Sequence, residues 1–238
     1  MLFFYVRHGD PIYDPNELTP LGRKQAEAAG KRLALYGIDK IFASPSNRAR
    51  QTAQPTCEIL KKDMTILDFC DEDHAWQEFT VELPDGGKTW SFMDPATRRL
   101  FTDESVLKLG FHWYEHPAFS GRNFKKGVER VGAAMDALFA ELGYEHIPHT
   151  GTYKAVRPND DRVALFAHQG FGMSFMSHLL DIPYPVYSTH FDICHSGITV
   201  IEFKDEDGIV IPKVLTHSSD SHIYREGLPT NYNNSIRF

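Results

Sequence analysis

The chain of 238 residues has little cysteine. Its three cysteines, Cys57, Cys70 and Cys194, show no CxxC or CxxH spacing. An odd count without such spacing predicts neither a disulfide framework nor a thiolate zinc site. A chain of this length buries enough surface to be stable without cross-links. We therefore expect a folded protein from a reducing compartment.

The sequence also lacks long apolar runs and an excess of positive charge. No segment approaches the roughly 18 apolar residues of a membrane-spanning helix, and the amino-terminal MLFFYV is followed at once by Arg7 and His8 rather than by a signal-peptide core. A net charge of −7 offers no surface for nucleic acids or acidic membranes. We expect a cytoplasmic protein without nucleic-acid or membrane partners, in which a local cluster of positive charge binds any anionic ligand.

Apolar segments and helical segments alternate at both ends of the chain. Residues 2–6 and 38–43 predict strands. A helix from Thr19 to Gly37 follows the first strand, and a helix from Ser44 to about Leu60 follows the second. The alternation returns in the last third, with a strand at 163–167, a helix at about 170–180 and strands near 197–203 and 209–215. This order is typical of a mainly parallel α/β sheet.

Residues 71–159 break the alternation. They contain one clear helical pattern, formed by apolar residues from Val128 to Leu142 and closed by Gly143. We predict a single domain over 1–238, in which 71–159 is a helical and loop-rich insertion that covers a pocket as a lid.

Three segments place a basic or imidazole side chain just beyond a predicted strand. They are Arg7-His8-Gly9, the helix start with Arg48, and His168-Gln169-Gly170. Ligands of parallel α/β sheets bind at the carboxyl ends of the strands. Glycine within two residues of each histidine allows the backbone to approach a ligand closely. The sequence therefore predicts an anion-binding site at this edge of the sheet.

These segments resemble the histidine phosphatase superfamily, also called phosphoglycerate mutase-like. The resemblance rests on YVRHGD at 5–10, SPSNRARQTA at 44–53 and VALFAHQG at 163–170. Gln169 stands where the family usually has a glycine after its second histidine. Asp220 and His222 loosely match a closing family segment that is usually structural. The resemblance implies a three-layer α/β/α fold with a mainly parallel central sheet and the insertion over the carboxyl ends of the strands.

The resemblance also implies a metal-independent phosphomonoesterase of the histidine acid phosphatase type, acting on a small phosphorylated substrate. His8 would attack phosphorus and become a phosphohistidine, and His168 would stabilise the transferring phosphoryl group. Arg7 and Arg48 would neutralise the phosphate charge with forked donors, because guanidinium geometry matches phosphate oxygens. Gly9 and Gln169 are expected to contact the substrate. No cofactor and no metal is expected at this site.

The proton donor for the leaving group is less clearly indicated. The family places a glutamate near the stretch LDFCDEDH at 67–74, and a carboxylic acid suits this task. Glu72 is the preferred candidate, Glu78 the second and Asp71 the third.

Several other residues are candidates for the rim of the pocket. Asp10 and Tyr13 follow the nucleophile, and Ser196 is a candidate for a further phosphate hydrogen bond. The aromatic candidates for the leaving-group side are Trp76, Trp90 and Phe92.

Two alternative functions remain open. A phosphoglycerate mutase would hold a second phosphate, yet the insertion lacks the Arg-Arg-Ser-Tyr-Asp run of dedicated mutases. A catalytically silent binding protein would be expected to lose at least one of the four central residues. A homodimer is the default expectation for the assembly.

Overall fold

The computed structural model describes residues 1–232. In chain order the strands are β1 (Leu2–Arg7), β2 (Pro11–Ile12), β3 (Glu17–Leu18), β4 (Lys40–Ala43), β5 (Met64–Ile66), β6 (Thr80–Glu82), β7 (Lys88–Trp90), β8 (Tyr144–Ile147), β9 (Thr152–Ala155), β10 (Arg162–Ala167), β11 (Ile198–Glu202), β12 (Asp205–Glu206), β13 (Ile209–Val210) and β14 (Lys213–Ser219).

The helices connect these strands. They are α1 (Pro20–Tyr36), α2 (Asn47–Leu60), α3 (Glu72–Phe79), α4 (Pro95–Phe101), α5 (Glu104–Leu107), α6 (Phe124–Glu141), α7 (Gln169–Leu179), α8 (Tyr184–His190) and α9 (Ser221–Arg225). Short 3-10 helices lie at Asp68–Cys70, Gly110–Glu115 and Pro117–Phe119. Within residues 1–232, no helix combines the length and the apolar character needed to cross a lipid bilayer.

The central sheet has six strands in the order β14-β11-β1-β10-β4-β5. The pairs β1–β10, β10–β4 and β4–β5 are parallel. The strand β11 is antiparallel to both of its neighbours, β1 and β14. The sheet is therefore mainly parallel, and that prediction is confirmed.

Helices cover both faces of this sheet. Alternate residues of β1 point to opposite faces, as the pleat requires. Phe4 and Val6 pack in one apolar cluster with Leu33 of α1. Phe3 and Tyr5 belong to a second cluster that contains residues of α6 and α7. The expected three-layer α/β/α fold is confirmed.

The first helix begins and ends where the sequence indicates, whereas the second ends at Leu60 as predicted but begins at Asn47 instead of Ser44. The side chain of Thr19 accepts a hydrogen bond from the Gly22 amide at 3.0 Å, and Pro20 occupies the first helical position. The helix α1 ends at Gly37, whose φ of 69° lies in the left-handed region that favours glycine. A Cβ at Gly30 would lie 2.9 Å from Pro55 of α2, so the glycine lets the two helices pack closely.

The insertion is more regular than the sequence indicates. Besides α6, it contains α3, α4, α5, the hairpin β6–β7 and the strands β8 and β9. Each of the three short helices begins with an aspartate cap, namely Asp71, Asp94 and Asp103. Helices of four to eight residues are too short to show a clear apolar period, which explains why the pattern missed them.

The predicted strand at 209–215 is wrong as a single element. The strand β13 pairs with β9 in a second sheet of order β12-β13-β9-β8, whereas β14 pairs with β11 in the central sheet. Pro212 lies between them and has no amide hydrogen to continue a ladder. The chain therefore changes sheets at this point.

Candidate active site

Three segments meet at the carboxyl ends of neighbouring parallel strands. Arg7 is the last residue of β1, His168 directly follows β10, and Arg48 lies in the first turn of α2 after β4. The His8 amide donates to Ala167 at 2.9 Å, and the Ser44 amide donates to Phe166 at 2.9 Å. The sheet therefore aligns the three segments that the sequence analysis singled out.

His8 is held as a neutral imidazole with one free nitrogen. Its Nδ1–H donates to the Gly9 carbonyl at 2.7 Å, so the lone pair lies on Nε2. Burial lowers the pKa of His8 well below its usual value, and His168, Arg7 and Arg48 lower it further. The His8 ring centroid lies 5.2 Å from that of His168. Nε2 is thus prepared to act as a nucleophile at neutral pH.

Gly9 is required by close packing. A Cβ on this residue would lie 2.6 Å from the carbonyl oxygen of Gly22 in α1. Its amide donates to the Thr52 hydroxyl of α2 at 3.0 Å. These contacts fix the backbone beside His8, and a contact of Gly9 with substrate stays a prediction.

Arg7, Arg48 and His168 each bury a nitrogen that finds no hydrogen-bond partner in the described part of the chain. These atoms are Nε of Arg7, Nε of Arg48 and Nδ1 of His168. Burying an unpaired donor costs about 1–3 kcal/mol. Arg7 and Arg48 line the same cleft as His8, whereas His168 lies behind it with its ring 5.2 Å from that of His8. Acceptor oxygens bound beside His8 would supply partners for such unpaired donors.

The rest of each side chain is firmly positioned. Arg7 donates through Nη1 to the Ile193 carbonyl at 2.5 Å and through Nη2 to His195 Nε2 at 2.8 Å. The guanidinium of Arg48 lies 5.4 Å from the centroid of the Tyr13 ring, in a cation–π contact.

His168 contacts Ser44 through one of its ring nitrogens. His168 Nε2 lies 2.8 Å from Ser44 Oγ, and this oxygen already accepts from the Ser46 amide at 3.3 Å. In the tautomer in which the Ser44 hydroxyl donates to Nε2, the hydrogen of His168 lies on Nδ1. Burial lowers the pKa of His168 well below its usual value, with Arg48 and Arg7 as further causes.

Glu72 begins α3 and reaches the start of α7. Its two carboxylate oxygens accept from the amides of Gly170 at 2.9 Å and Phe171 at 3.0 Å, which are free donors of that helix end. Burial raises the pKa of Glu72, although the two amides and the nearby guanidinium groups oppose this shift. The structure thus brings the preferred acid into the cleft.

The two other acid candidates lie outside the cleft. The Glu78 carboxylate is bound by the Arg130 guanidinium, with its shortest contact at 2.7 Å, and it does not line the cleft. Asp71 caps α3 by accepting from the Asp73 amide at 3.1 Å. Both carboxylates therefore have structural partners instead of a place beside His8.

A cleft of about 680 Å³ opens above His8. Its lining combines the charged groups with aromatic side chains, and consists of Arg7, His8, Tyr13, Asn16, Arg48, Glu72, Asp73, Trp76, Trp90, Met93, Gln169 and His195. Trp76 and Trp90 meet edge to face at 4.9 Å. A Cβ at Gly170 would lie 2.3 Å from the Trp90 ring, so this glycine admits the indole. Phe92 stacks behind Trp90 at 5.6 Å and does not line the cleft.

Gln169 and Tyr13 lie in the cleft as expected, whereas Asp10 does not line it. The side-chain amide of Gln169 donates to the Asp192 carboxylate. The Asp10 carboxylate accepts from the Thr19 hydroxyl at 2.7 Å and lies 3.6 Å from Nδ1 of His195.

Ser196 lies outside the cleft, so its candidacy for a phosphate hydrogen bond is not supported. Its hydroxyl lies 2.6 Å from His222 Nε2, its amide donates to the His8 carbonyl at 3.0 Å, and it does not line the cleft. Its φ of 61° turns the chain at this point. Asp220 accepts from Thr230 at 2.9 Å. Ser196 and His222 thus support the backbone at His8 from outside the cleft, whereas the Asp220 carboxylate binds the carboxyl-terminal segment.

His195 is a site residue that the sequence analysis missed, as are the lining residues Asn16, Asp73 and Met93. His195 accepts the Arg7 hydrogen bond, and its ring centroid lies 5.6 Å from that of His8. Burial, with Arg7 as a second cause, lowers the pKa of His195 to about 3. It follows an irregular segment at 191–194 with no motif spacing, so the only signal was a histidine shortly before a predicted strand.

The family model of the histidine phosphatase superfamily (branch 1) matches residues 4–213. The chain belongs to this superfamily. Similar proteins include the serine/threonine-protein phosphatase Pgam5, mitochondrial, of Drosophila melanogaster, 31% identical over 121 residues that make up 48% of this chain and 40% of that protein. The corresponding protein of Caenorhabditis elegans is 33% identical over 121 residues, with the same coverage of 48% and 40%. The chain thus spans less than half the length of these relatives.

Solved structures of this histidine phosphatase fold cover nearly the whole chain. A phosphoserine phosphatase from Entamoeba histolytica, in complex with 3-phosphoglyceric acid, covers 93% of this chain and 98% of its own, with a TM-score of 0.59 and 18% identity. A mycobacterial glucosyl-3-phosphoglycerate phosphatase covers 92% and 99%, with a TM-score of 0.57 and 21% identity. At these identities the likeness shows the shared fold.

Proposed function

We propose that this histidine phosphatase hydrolyses phosphomonoesters without a metal, through a phosphohistidine on His8. The observation that carries the proposal is that Arg7, Arg48 and His168, each with a buried nitrogen that has no partner within residues 1–232, lie close to His8 and its free Nε2. A phosphoryl group supplies the acceptor oxygens that these nitrogens need. Two guanidinium groups also offset its two negative charges, which would otherwise repel a nucleophile.

The first step transfers the phosphoryl group to His8. The lone pair on Nε2 forms the N–P bond while the ester P–O bond breaks. His168, with its hydrogen on Nδ1, stabilises the charge on the transferring oxygens. Glu72 donates its proton to the leaving alkoxide, and its raised pKa favours the protonated form that this task needs.

The second step releases phosphate. Glu72, now a carboxylate, accepts a proton from water as the water oxygen forms a bond to phosphorus. The N–P bond breaks, and its electron pair returns to Nε2 of His8. Both steps balance with the protein side chains and water alone, so no cofactor is required.

The cleft favours an organic leaving group. Trp76, Trp90 and Met93 form its apolar side, beyond the phosphate-binding residues. Among the described residues that line the cleft, Arg7 and Arg48 are the only ones with a lysine or arginine side chain, and the first phosphate uses both. A second phosphate would therefore have no cationic partner in the cleft. This distribution supports hydrolysis over mutase-type transfer. The names of the relatives point to phosphoserine, phosphoprotein and phosphoglycerate esters as a first substrate panel.

The test compares wild type, His8→Ala and His112→Ala on p-nitrophenyl phosphate and this panel, with a chelator present. His112 is an exposed histidine of the insertion, so His112→Ala is the matched control. We expect chelator-resistant turnover in wild type and control, and a loss of about 10³-fold or more in His8→Ala. Brief incubation with ³²P-labelled substrate should label wild type with an acid-labile, base-stable phosphate.

Two outcomes would contradict the proposal. Substantial turnover and labelling in His8→Ala would remove His8 as the nucleophile. Turnover that disappears with the chelator in wild type would mean that the reaction depends on a metal.

A further inference from the structure

A second polar cluster lies between α6, β8 and the carboxyl end of α7. Asp136 Oδ1 lies 3.0 Å from His146 Nδ1 and 2.8 Å from His178 Nε2. The other nitrogen of His146, Nε2, lies 3.0 Å from Asp181 Oδ2. His178 follows His168 by ten residues, which corresponds to about 15 Å along a helix. The cluster is therefore separate from the catalytic cleft.

We propose that Asp136, His146 and His178 form a binding site for a divalent transition metal, with Zn²⁺ as the fitting ion. The ligand atoms of the three residues all lie within 4.8 Å of one another. Two imidazole nitrogens and one carboxylate oxygen are a ligand set that Zn²⁺ takes in proteins, with water in the remaining position. The Asp136 side chain is 38% exposed, so solvent reaches that position.

Asp181 prepares His146 for this role. Its carboxylate accepts from His146 Nε2–H and also from the Gly151 amide at 2.8 Å. A histidine that binds a metal through one nitrogen usually donates its other N–H to a carboxylate, which fixes the ring orientation. With Nε2–H directed to Asp181, loss of the hydrogen that Nδ1 donates to Asp136 leaves a lone pair on Nδ1 that is directed towards the proposed ion.

Packing holds both rings in place before any ion binds. The His146 ring lies 4.8 Å from the Tyr153 ring and is almost fully buried. On the other side, a Cβ at Gly132 of α6 would lie 2.8 Å from Cε1 of His178. Gly132 lies one helical turn before Asp136, and its lack of a side chain leaves room for the His178 imidazole.

Binding replaces two hydrogen bonds by metal–ligand bonds. The hydrogen on His146 Nδ1 leaves as a proton, because Nε2 already carries the hydrogen that is donated to Asp181. The hydrogen on His178 Nε2 leaves as a proton or moves to Nδ1, and the metal takes the lone pairs at the two vacated atoms. Bonds to all three residues would tie α6, β8 and α7 together. The ion therefore acts on stability, at a distance from the proposed chemistry at His8.

The test titrates metal-free full-length protein with Zn²⁺ against a chromophoric chelator. We expect wild type and the exposed-histidine control His112→Ala to bind one equivalent, which disappears in His178→Ala. Asp181→Asn should weaken the affinity about 10- to 100-fold while all three ligands stay in place. Circular dichroism establishes that each variant is folded. His8→Ala, which removes one histidine of the catalytic cleft, should bind Zn²⁺ as wild type does.

A measurement on wild type alone keeps the proposal testable if a variant fails to fold. Anomalous diffraction at the zinc edge, from crystals grown with Zn²⁺, should place the ion between Asp136, His146 and His178. The proposal fails if wild type binds Zn²⁺ no more tightly than His178→Ala does. It also fails if the equivalent disappears in His8→Ala and persists in His178→Ala, or if the anomalous peak lies among the cleft histidines. The cluster would then be a hydrogen-bond network only.

Discussion

The protein contains two histidine clusters with opposite neighbours. At the cleft, His8, His168 and His195 lie near Arg7. Burial lowers the pKa of all three imidazoles, Arg7 is a further cause for each of them, and Arg48 is a further cause for His8 and His168. In the second cluster, His146 lies between two carboxylates. Burial lowers its pKa, but hydrogen bonds to Asp136 and Asp181 outweigh burial and raise it to about 9. The same side chain is therefore kept neutral beside arginines in one place and pairs with carboxylates in the other.

Glu72 is a carboxylate next to the arginines of the cleft, and burial raises its pKa. Loss of this carboxyl group should reduce activity more than loss of a supporting neighbour such as His195. Glu72→Gln cannot donate the proton, so turnover of an alkyl phosphate should fall by about 10²-fold or more. Turnover of p-nitrophenyl phosphate should fall far less, because its leaving group needs little protonation.

Steady-state kinetics of both substrates check this prediction. Glu78→Gln is the informative comparison, because it removes the second acid candidate, which lies outside the cleft. Equal losses on the two substrates in Glu72→Gln would move the donor role elsewhere.

A substitution of His195 tests whether a residue that positions Arg7 contributes to activity and to phosphate affinity. His195→Ala removes the acceptor that holds Arg7 Nη2 at 2.8 Å. A hydrogen bond to a charged group contributes about 1.5–3 kcal/mol, so kcat/KM should fall by about tenfold or more. The inhibition constant of inorganic phosphate should rise by a similar factor, and His195→Asn should restore part of the loss. Unchanged phosphate affinity would show that Arg7 is positioned without His195.

A substitution in the second cluster should lower the free energy of unfolding. Asp136→Ala removes the carboxylate that both His146 and His178 contact, and it leaves their N–H groups without that acceptor. We expect the free energy of unfolding in the presence of a chelator to fall by about 1–3 kcal/mol. Urea denaturation measures this change. The matched control Asp63→Ala, at an exposed loop position, should stay within about 0.5 kcal/mol of wild type.

The smallest expected effect concerns the pH at which kcat/KM is highest. For an alkyl phosphate, kcat/KM should rise as pH falls toward the raised pKa of Glu72, because the protonated carboxyl is the donor. It should decline only well below the ordinary histidine value of about 6.5, because the pKa of His8 is lowered. Such an acidic optimum would support the acid phosphatase type. An acidic limb centred near 6.5 would contradict a strongly buried, neutral His8.

Much of the fold was predictable because local signals agreed with the final packing. The cap at Thr19, the glycine at Gly37 and the apolar run of β10 each indicated an element that the structure contains. The short helices of the insertion were not predictable in this way, because packing against neighbours stabilises them more than their own sequence does. The segment 209–215 was predicted as one strand, but Pro212 separates two strands that join different sheets. The sequence does not indicate which sheet each strand joins.

The centre of the cleft was predictable because its residues follow strands of the central sheet. Arg7, His8, Arg48 and His168 meet because the strands that precede them are neighbours. His195 and the second cluster could not be found by spacing. Their side chains come from an irregular segment and from three separate elements, so their contacts depend on tertiary packing.

The contact of Glu72 with the start of α7 has a consequence for how the chain folds. The two hydrogen bonds join residues 98 and 99 positions apart in sequence, and long-range contacts of this kind close late and slowly. Helices can form well before this contact exists. Recovery of alkyl phosphate hydrolysis during refolding would therefore report the docking of the insertion onto α7, at a time when helical circular dichroism has already returned.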